Sequence, residues 1–337
     1  MIEARYWEKA EKDNVRCQLC PHRCLIAPGK TGICAVRENK AGVLYSLNYA
    51  RAVAVHNDPI EKKPLFHVLP GSYSLSVAAA GCNFRCRHCQ NHQISQFPRR
   101  EHAVPGEEFP AAEVVEAASR HGSATISLTY TEPTVFMEWA EDIGEQAAAR
   151  GIRCVSVTNG YTNSEPLRSL ARYLIAANVD LKAFRDDFYR EICGGRLQPV
   201  LDTIRLLREL DVWVEVTTLI IPGFNDDRRE LEELAKFLVS VDPAMPWHIS
   251  RFHPDNELLD APPTPAATIQ MARRIGLQAG LRFVYSGNVW GDEGENTYCP
   301  ACGKLLIERY GFSVRQNRLR SGACPDCGEK IAGRWER

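Results

Sequence analysis

Gly81-Cys82-Asn83-Phe84-Arg85-Cys86-Arg87-His88-Cys89-Gln90 follows an apolar run, Ser74–Ala79, that reads as a β-strand. The segment places three cysteines in one short loop, spaced Cys-x3-Cys-x2-Cys. Thiols this close grip a single metal centre from one side. Cubane iron–sulfur clusters usually take four cysteine ligands. Three leave one iron open, and an open metal position is where chemistry occurs. The competing arrangement is a zinc knuckle that borrows its fourth ligand from His88 or His92.

Outward from this loop the chain alternates strands and helices. Strand-like runs follow at Thr125–Thr129, Arg153–Thr158, Asn178–Leu181, Val212–Ile220, Trp247–Phe252 and Arg282–Tyr285. Helical patterns lie between them, near Ala111–Ser119, Val135–Ala149, Pro166–Ala176, Pro199–Leu210, Arg228–Val239 and Pro265–Ala279. Several strands are continuous apolar or β-branched runs, as parallel strands covered on both faces require. Thr264-Pro265 predicts an N-cap and a first-turn proline for the last helix. Repeated βα units predict a parallel sheet, open or curled into a barrel. The loops at the C-terminal ends of its strands should then carry the chemistry.

Two further cysteine groups flank this middle region. Cys299-x2-Cys302 and Cys324-x2-Cys327 are each followed by glycine and form a pair of knuckles. They read as a four-cysteine zinc ribbon, with rubredoxin-like iron as the chemical competitor. A structural zinc would supply folding energy to an end too small for its own core. Cys17, Cys20, Cys24 and Cys34 also total four thiols. Cys20-Pro21 resembles a zinc knuckle, and the reading leans slightly to zinc. The Cys-x2-Cys-x3-Cys spacing equally permits a second iron–sulfur cluster where electrons enter, and His22 is a substitute ligand. Of the two remaining cysteines, Cys154 reads as core and Cys193 as a loop thiol without an assigned role.

Composition narrows the class. The 337 residues carry 41 basic and 42 acidic side chains, and 45% are hydrophobic, so disordered and fibrous classes are excluded. The near-zero charge conceals a partition. Residues 1–40 hold eight basic and five acidic side chains, residues 299–337 eight and four, and the middle is acidic. The basic ends, with Arg309, Arg315, Arg318 and Arg320, leave a nucleic-acid contact open against a plain solvated surface. No apolar run approaches a membrane span. The opening residues lack an apolar signal region, so a cytoplasmic location without membrane contact is expected. Thirteen cysteines in such a chain point to metal rather than disulfides.

Taken together the motifs resemble the radical S-adenosylmethionine (SAM) superfamily. Thr129-Tyr130-Thr131-Glu132-Pro133 is similar to its Gly-Gly-Glu-Pro segment, which holds the SAM amino group. Val157-Thr158-Asn159-Gly160, Val179-Asp180-Leu181-Lys182 and Ile221-Pro222-Gly223 resemble segments of pyruvate formate-lyase activating enzymes. Arg251-Phe252-His253-Pro254 resembles their strand-end histidine. Nearly the whole chain resembles the family called the AmmeMemoRadiSam system radical SAM enzyme. That likeness adds Cys17 to Cys34, Asp58-Pro59-Ile60-Glu61-Lys62-Lys63-Pro64-Leu65, Tyr285-Ser286-Gly287-Asn288 and the terminal cysteine pairs.

The resemblance implies a partial (β/α)6 barrel of the TIM type over residues 72–295. It is flanked by a cysteine-rich metal module over 1–71 and a zinc ribbon over 296–337. It implies that Cys82, Cys86 and Cys89 hold a 4Fe-4S cluster whose open iron binds SAM. Reductive cleavage then yields a 5′-deoxyadenosyl radical that abstracts hydrogen from a substrate. Thr131, Glu132, Thr158, Asn159, Asp180, Lys182, His253 and His88 are the implied cofactor contacts. His88 stands where the family favours an aromatic residue. Val157 stands where the activating enzymes have an acid, so their cation site is not carried over. The implied partners are a reductant such as flavodoxin or ferredoxin, and AMMECR-like and Memo-like proteins. An RNA nucleotide, a glycyl-radical protein and a small metabolite all remain open as substrate. The reading from another class is a nucleic-acid-binding metalloprotein whose central cluster is structural.

Overall fold

The computed structural model describes residues 1–289 and 291–336. A largely parallel sheet forms its centre. Its parallel strands are β1 (Tyr73–Ala79), β2 (Thr125–Leu128), β3 (Arg153–Thr158), β4 (Leu174–Asp180), β5 (Trp213–Ile220), β6 (Trp247–Arg251) and β7 (Val284–Gly287). They pair side by side in chain order. The helices between them are α1 (Ala111–Arg120), α2 (Met137–Ala149), α3 (Ser164–Ala171), α4 (Gln198–Glu209), α5 (Arg228–Val241) and α6 (Ala266–Ala279). The result is six βα units and a seventh parallel strand. Every residue of β2 is buried, as a strand covered on both faces must be.

Local chemistry explains where elements differ from expectation. The helix expected from Val135 is split. Pro133–Phe136 forms a 3-10 turn in which the Glu132 side chain caps the Thr134 N–H, and α2 begins at Met137. Thr264 does not cap α6; Pro265 occupies that position without a side-chain bond. Thr264 is buried instead, accepting from the Phe252 N–H at 2.9 Å and donating to the Ile220 carbonyl at 2.5 Å. It ties the ends of β5 and β6 together, where buried backbone groups need partners. Asp227 caps α5 in the expected manner, accepting from the Arg229 and Glu230 N–H groups.

The N-terminal segment joins the sheet. Arg51–Pro59 pairs antiparallel with β1 along its length. Before it lie two small antiparallel sheets. One contains Arg37–Lys40 and Val43–Ser46, the other Trp7–Lys9 and Val15–Cys17. A buried ion pair at 3.0 Å, Arg37 to Glu138, fastens this region to α2.

At the other end Thr297–Tyr298, Leu305–Tyr310 and Ser313–Asn317 form a three-stranded antiparallel sheet. Leu306 and Ile307 pack it against Phe66, Phe283 and Tyr285. Arg309, grouped from the sequence with a basic nucleic-acid-facing surface, is buried in that seam. It donates to the Phe66 carbonyl at 2.7 Å and to Thr297 Oγ1 at 2.8 Å. A guanidinium buried and engaged in this way is not available to a phosphate. Among the described residues, no helix is long and apolar enough to cross a membrane.

Candidate active site

The C-terminal ends of β1 to β7 open on one cavity of about 400 Å³. Its wall takes residues from the end of every parallel strand: the cysteine loop after β1, Thr131 after β2, Thr158 and Asn159 from β3, Asp180 and Lys182 from β4, Thr217 from β5, Ser250 from β6 and Asn288 after β7. Cys82, Cys86, His88 and Cys89 all line it. Ligand sites of α/β folds lie at this end of the sheet.

The cysteine loop is held by its surroundings. Cys82 Sγ accepts from the Phe84 N–H at 3.3 Å and from Asn159 Nδ2 at 3.7 Å, and Cys89 Sγ lies 3.3 Å from Ser95 Oγ. The Arg85 and Arg87 N–H groups donate to the carbonyls of Cys193 and Ile192. Gly194 takes a φ of +80° there, and a Cβ on Gly195 would collide with the Phe84 ring. Only glycine admits so close an approach at a left-handed turn.

Cys193 is fully buried and its thiol interacts with that of Cys86. The sequence had given it no role, because 107 positions separate it from Cys86. This contact holds the Cys86 thiol below its ordinary pKa against the effect of burial. Burial pushes Cys82 well above, helped by the charge of Glu132.

The other expected site residues fall into three positions. Thr131, Thr158, Asn159, Asp180 and Lys182 reach the cavity. Burial works against the Lys182 charge, but Asp180 at 2.9 Å and the neighbouring thiols keep its pKa well above the ordinary value. His88 is buried with no hydrogen-bond partner on Nδ1, and burial beside Lys182 pushes its pKa down to about 3. Its ring is therefore neutral.

Glu132 lies behind the wall. Its Oε1 accepts from the Thr134 N–H, Thr134 Oγ1 and Thr158 Oγ1 at 3.0, 2.7 and 2.8 Å, and its Oε2 from the Asn159 N–H at 2.7 Å. It staples the end of β2 to the end of β3. His253 is exposed and does not line the cavity itself, but it meets the lining residue Gln90 at 3.2 Å.

A cationic group on the wall had no role in the sequence reading. Lys62 and Lys63 line the cavity and pair with Asp58 at 2.9 and 2.6 Å. Asp58 also accepts from Ser76 at 2.8 Å and from the Tyr130 hydroxyl. Burial opposes the Asp58 charge, but these donors hold its carboxyl far below the usual range. Burial pulls Lys63 down to about 8 in spite of Asp58. The signal was the Asp58-to-Lys63 motif itself; its position in space was not legible.

The Radical SAM superfamily profile matches residues 77–238, the stretch from β1 into α5 that carries all three loop cysteines. The chain carries a domain of this superfamily. An uncharacterized protein of Methanocaldococcus jannaschii is 47% identical over 334 residues, covering 98% of this chain and 99% of that protein. The pyruvate formate-lyase-activating enzyme of Staphylococcus epidermidis is 26% identical over 184 residues, covering 51% of this chain and 72% of that protein. A radical SAM methyltransferase structure from Sphaerobacter thermophilus superposes with a TM-score of 0.49 at 17% identity, covering 69% of this chain and 70% of that one.

A radical SAM domain implies a 4Fe-4S cluster and SAM, and the residues present fit both. Three soft thiols on one loop are the donor set that an iron–sulfur cluster takes. The space beside them falls within the range of small-molecule pockets, about 300–1,000 Å³.

Proposed function

We propose that this chain is a radical SAM enzyme working in a partial (β/α)6 barrel closed by a seventh strand, with Cys82, Cys86 and Cys89 as the cluster ligands. The observation that carries this reading is the convergence of those thiols and all seven strand ends on one cavity. When bound, the cluster and SAM supply a 5′-deoxyadenosyl radical that takes a hydrogen atom from the substrate. The protein's own part is to position and to enclose.

Glu132 acts as a positioning residue. Through Thr158 Oγ1 and the Asn159 N–H it sets a polar rim that would hold the amino acid group of SAM. Asn159 also touches Cys82 Sγ, so the same residue orients a cluster ligand. His88, neutral and without a hydrogen-bond partner on Nδ1, would offer its ring to the adenosine. Asp180 and Lys182 form a charged pair on the same wall. Lys62 and Lys63 give the cavity a cationic side, which suits a substrate bearing a carboxylate or phosphate.

The reductant would be a flavodoxin- or ferredoxin-class protein, and the location cytoplasmic. Cys299, Cys302, Cys324 and Cys327 would hold zinc. Their thiols all lie within 4.8 Å of one another, with Cys299 to Cys327 at 3.6 Å and Cys302 to Cys324 at 3.7 Å. Zinc at about 2.3 Å from each sulfur draws them to that spacing.

The test is anaerobic reconstitution of the full chain with iron and sulfide, followed by reduction in the presence of SAM. Release of 5′-deoxyadenosine is expected, and Cys86→Ala abolishes it. Metal-loaded protein that never releases it, or an unaffected Cys86→Ala variant, sinks the reading.

A further inference from the structure

Cys17, Cys20, Cys24 and Cys34 line a second, small cavity, together with Arg37 and Asn83. Three observations bear on what fills it. The first is thiol spacing. The C-terminal quartet is drawn together as zinc requires, with all its sulfurs within 4.8 Å of one another. No three of the N-terminal thiols satisfy that limit, although all four line the same cavity. The three thiols of the Cys82 loop do not satisfy it either. A cubane cluster keeps its cysteine sulfurs farther apart than a single zinc ion does, because four irons stand between them. The N-terminal group therefore shares the open arrangement of the Cys82 loop rather than the closed one of the C-terminal quartet.

The second observation is an unpartnered donor. Arg37 is 1% exposed and lines the cavity. Its terminal nitrogens are engaged by Glu138 and by the Arg5 carbonyl, but Nε has no hydrogen-bond partner. A buried guanidinium N–H left unpaired is costly. The sulfurs of an anionic cluster accept such bonds.

The third is position. Asn83 lines this cavity and directly follows Cys82. His22 Nε2 lies 2.9 Å from the Asn83 carbonyl. Arg99 bonds both the Ile33 carbonyl at 2.7 Å and the Cys82 carbonyl at 3.5 Å. These contacts tie the N-terminal cysteine segment directly to the Cys82 loop.

We propose that Cys17, Cys20, Cys24 and Cys34 bind a second 4Fe-4S cluster, which passes single electrons to the cluster held by Cys82, Cys86 and Cys89. One electron from a low-potential donor protein reduces the second cluster. Passing it on restores the oxidised cluster, and the electron is used in cleaving the sulfonium bond of SAM. No bond within the second cluster forms or breaks. The relay rests on the radical SAM reading; the presence of the cluster does not.

The experiment uses the full chain carrying Cys82→Ala, Cys86→Ala and Cys89→Ala together, reconstituted anaerobically with iron and sulfide. The variant should retain about four irons and four sulfides per chain, and the wild type about twice that. The reduced variant should give an electron paramagnetic resonance signal that SAM does not alter. A variant without iron and sulfide, or wild-type protein with zinc in this quartet, overturns the proposal. In the converse variant, Cys24→Ser, iron content should fall by about half, and full iron retention there overturns the ligand set. The relay is read as a ratio of SAM cleavage driven by reduced flavodoxin to cleavage driven by dithionite. In Cys24→Ser that ratio should drop by about an order of magnitude, and an unchanged ratio overturns the relay. Failure of dithionite-driven cleavage in wild-type protein would count against the radical SAM reading instead, leaving the iron count to decide the second cluster.

Discussion

At the C-terminal end Cys299 and Cys324 are buried while Cys302 and Cys327 face solvent, and the four sulfurs close on one another. At the N-terminal end Cys17 and Cys20 belong to the main hydrophobic core, beside Leu19 and Ile26, and the four sulfurs stand around a cavity. Both ends are basic and both carry four cysteines. The difference lies in what surrounds them. The C-terminal sheet shows little core of its own beyond Leu306, Ile307 and Ile331, so closing the thiols must contribute to its folding. The N-terminal thiols are shaped by the enzyme core itself, through the Arg37–Glu138 pair and the Asn83 loop. One module is an appended unit whose thiols close on one another, and the other is built into the wall behind the candidate site.

The largest expected effect separates the two modules by metal removal. A zinc chelator should unfold the C-terminal sheet, since structural zinc contributes about 10–16 kcal/mol of apparent binding energy in small domains. Hydrogen exchange across Leu305–Tyr310 should rise to unprotected rates, while β1 to β6 keep their protection. Retained protection in Leu305–Tyr310 would break the comparison, because that sheet would then be stable without metal.

A middle-sized effect probes the N-terminal attachment. Arg37→Met leaves Glu138 buried without its cation, and such a loss costs about 3–5 kcal/mol. The denaturant midpoint should fall accordingly. Adding Glu138→Leu should recover most of the loss, because the uncompensated charge goes with it. A midpoint that does not move would show that this module is no more integrated than the other.

The smallest effect sharpens the contrast at the C-terminal surface. Arg318 meets Asp326 at 3.0 Å with both side chains about a third exposed. Arg318→Ala should therefore cost under about 1 kcal/mol, read from the same denaturant curves. A loss as large as that of Arg37→Met would mean that the Arg318 side chain, and not metal, holds the knuckles together.

Much of the catalytic loop was legible because its information is local. Three cysteines within eight residues face one centre whatever the rest of the chain does. The alternation of strands and helices was legible for the same reason, since periodicity is a short-range signal. What escaped depends on distant segments. Cys193 meets Cys86 only because Gly194 and Gly195 let that turn press on Phe84 and Arg85. Lys63 reaches the wall because Arg51–Pro59 joins the sheet beside β1. Thr264 resembles a helix cap in sequence, yet the buried carbonyl of Ile220 claims its hydroxyl.

The sequence by itself determined the number of thiols in each group and the order of βα units. These follow from spacing and backbone sterics over a few residues. The separation of the thiols was decided only in three dimensions. The two quartets have equal counts, yet the C-terminal sulfurs close on one another while the N-terminal ones line a small cavity beside the buried Arg37 and Asn83. Ligand identity is carried by the local chain, but ligand spacing is set by the tertiary contacts that fix each backbone segment in place.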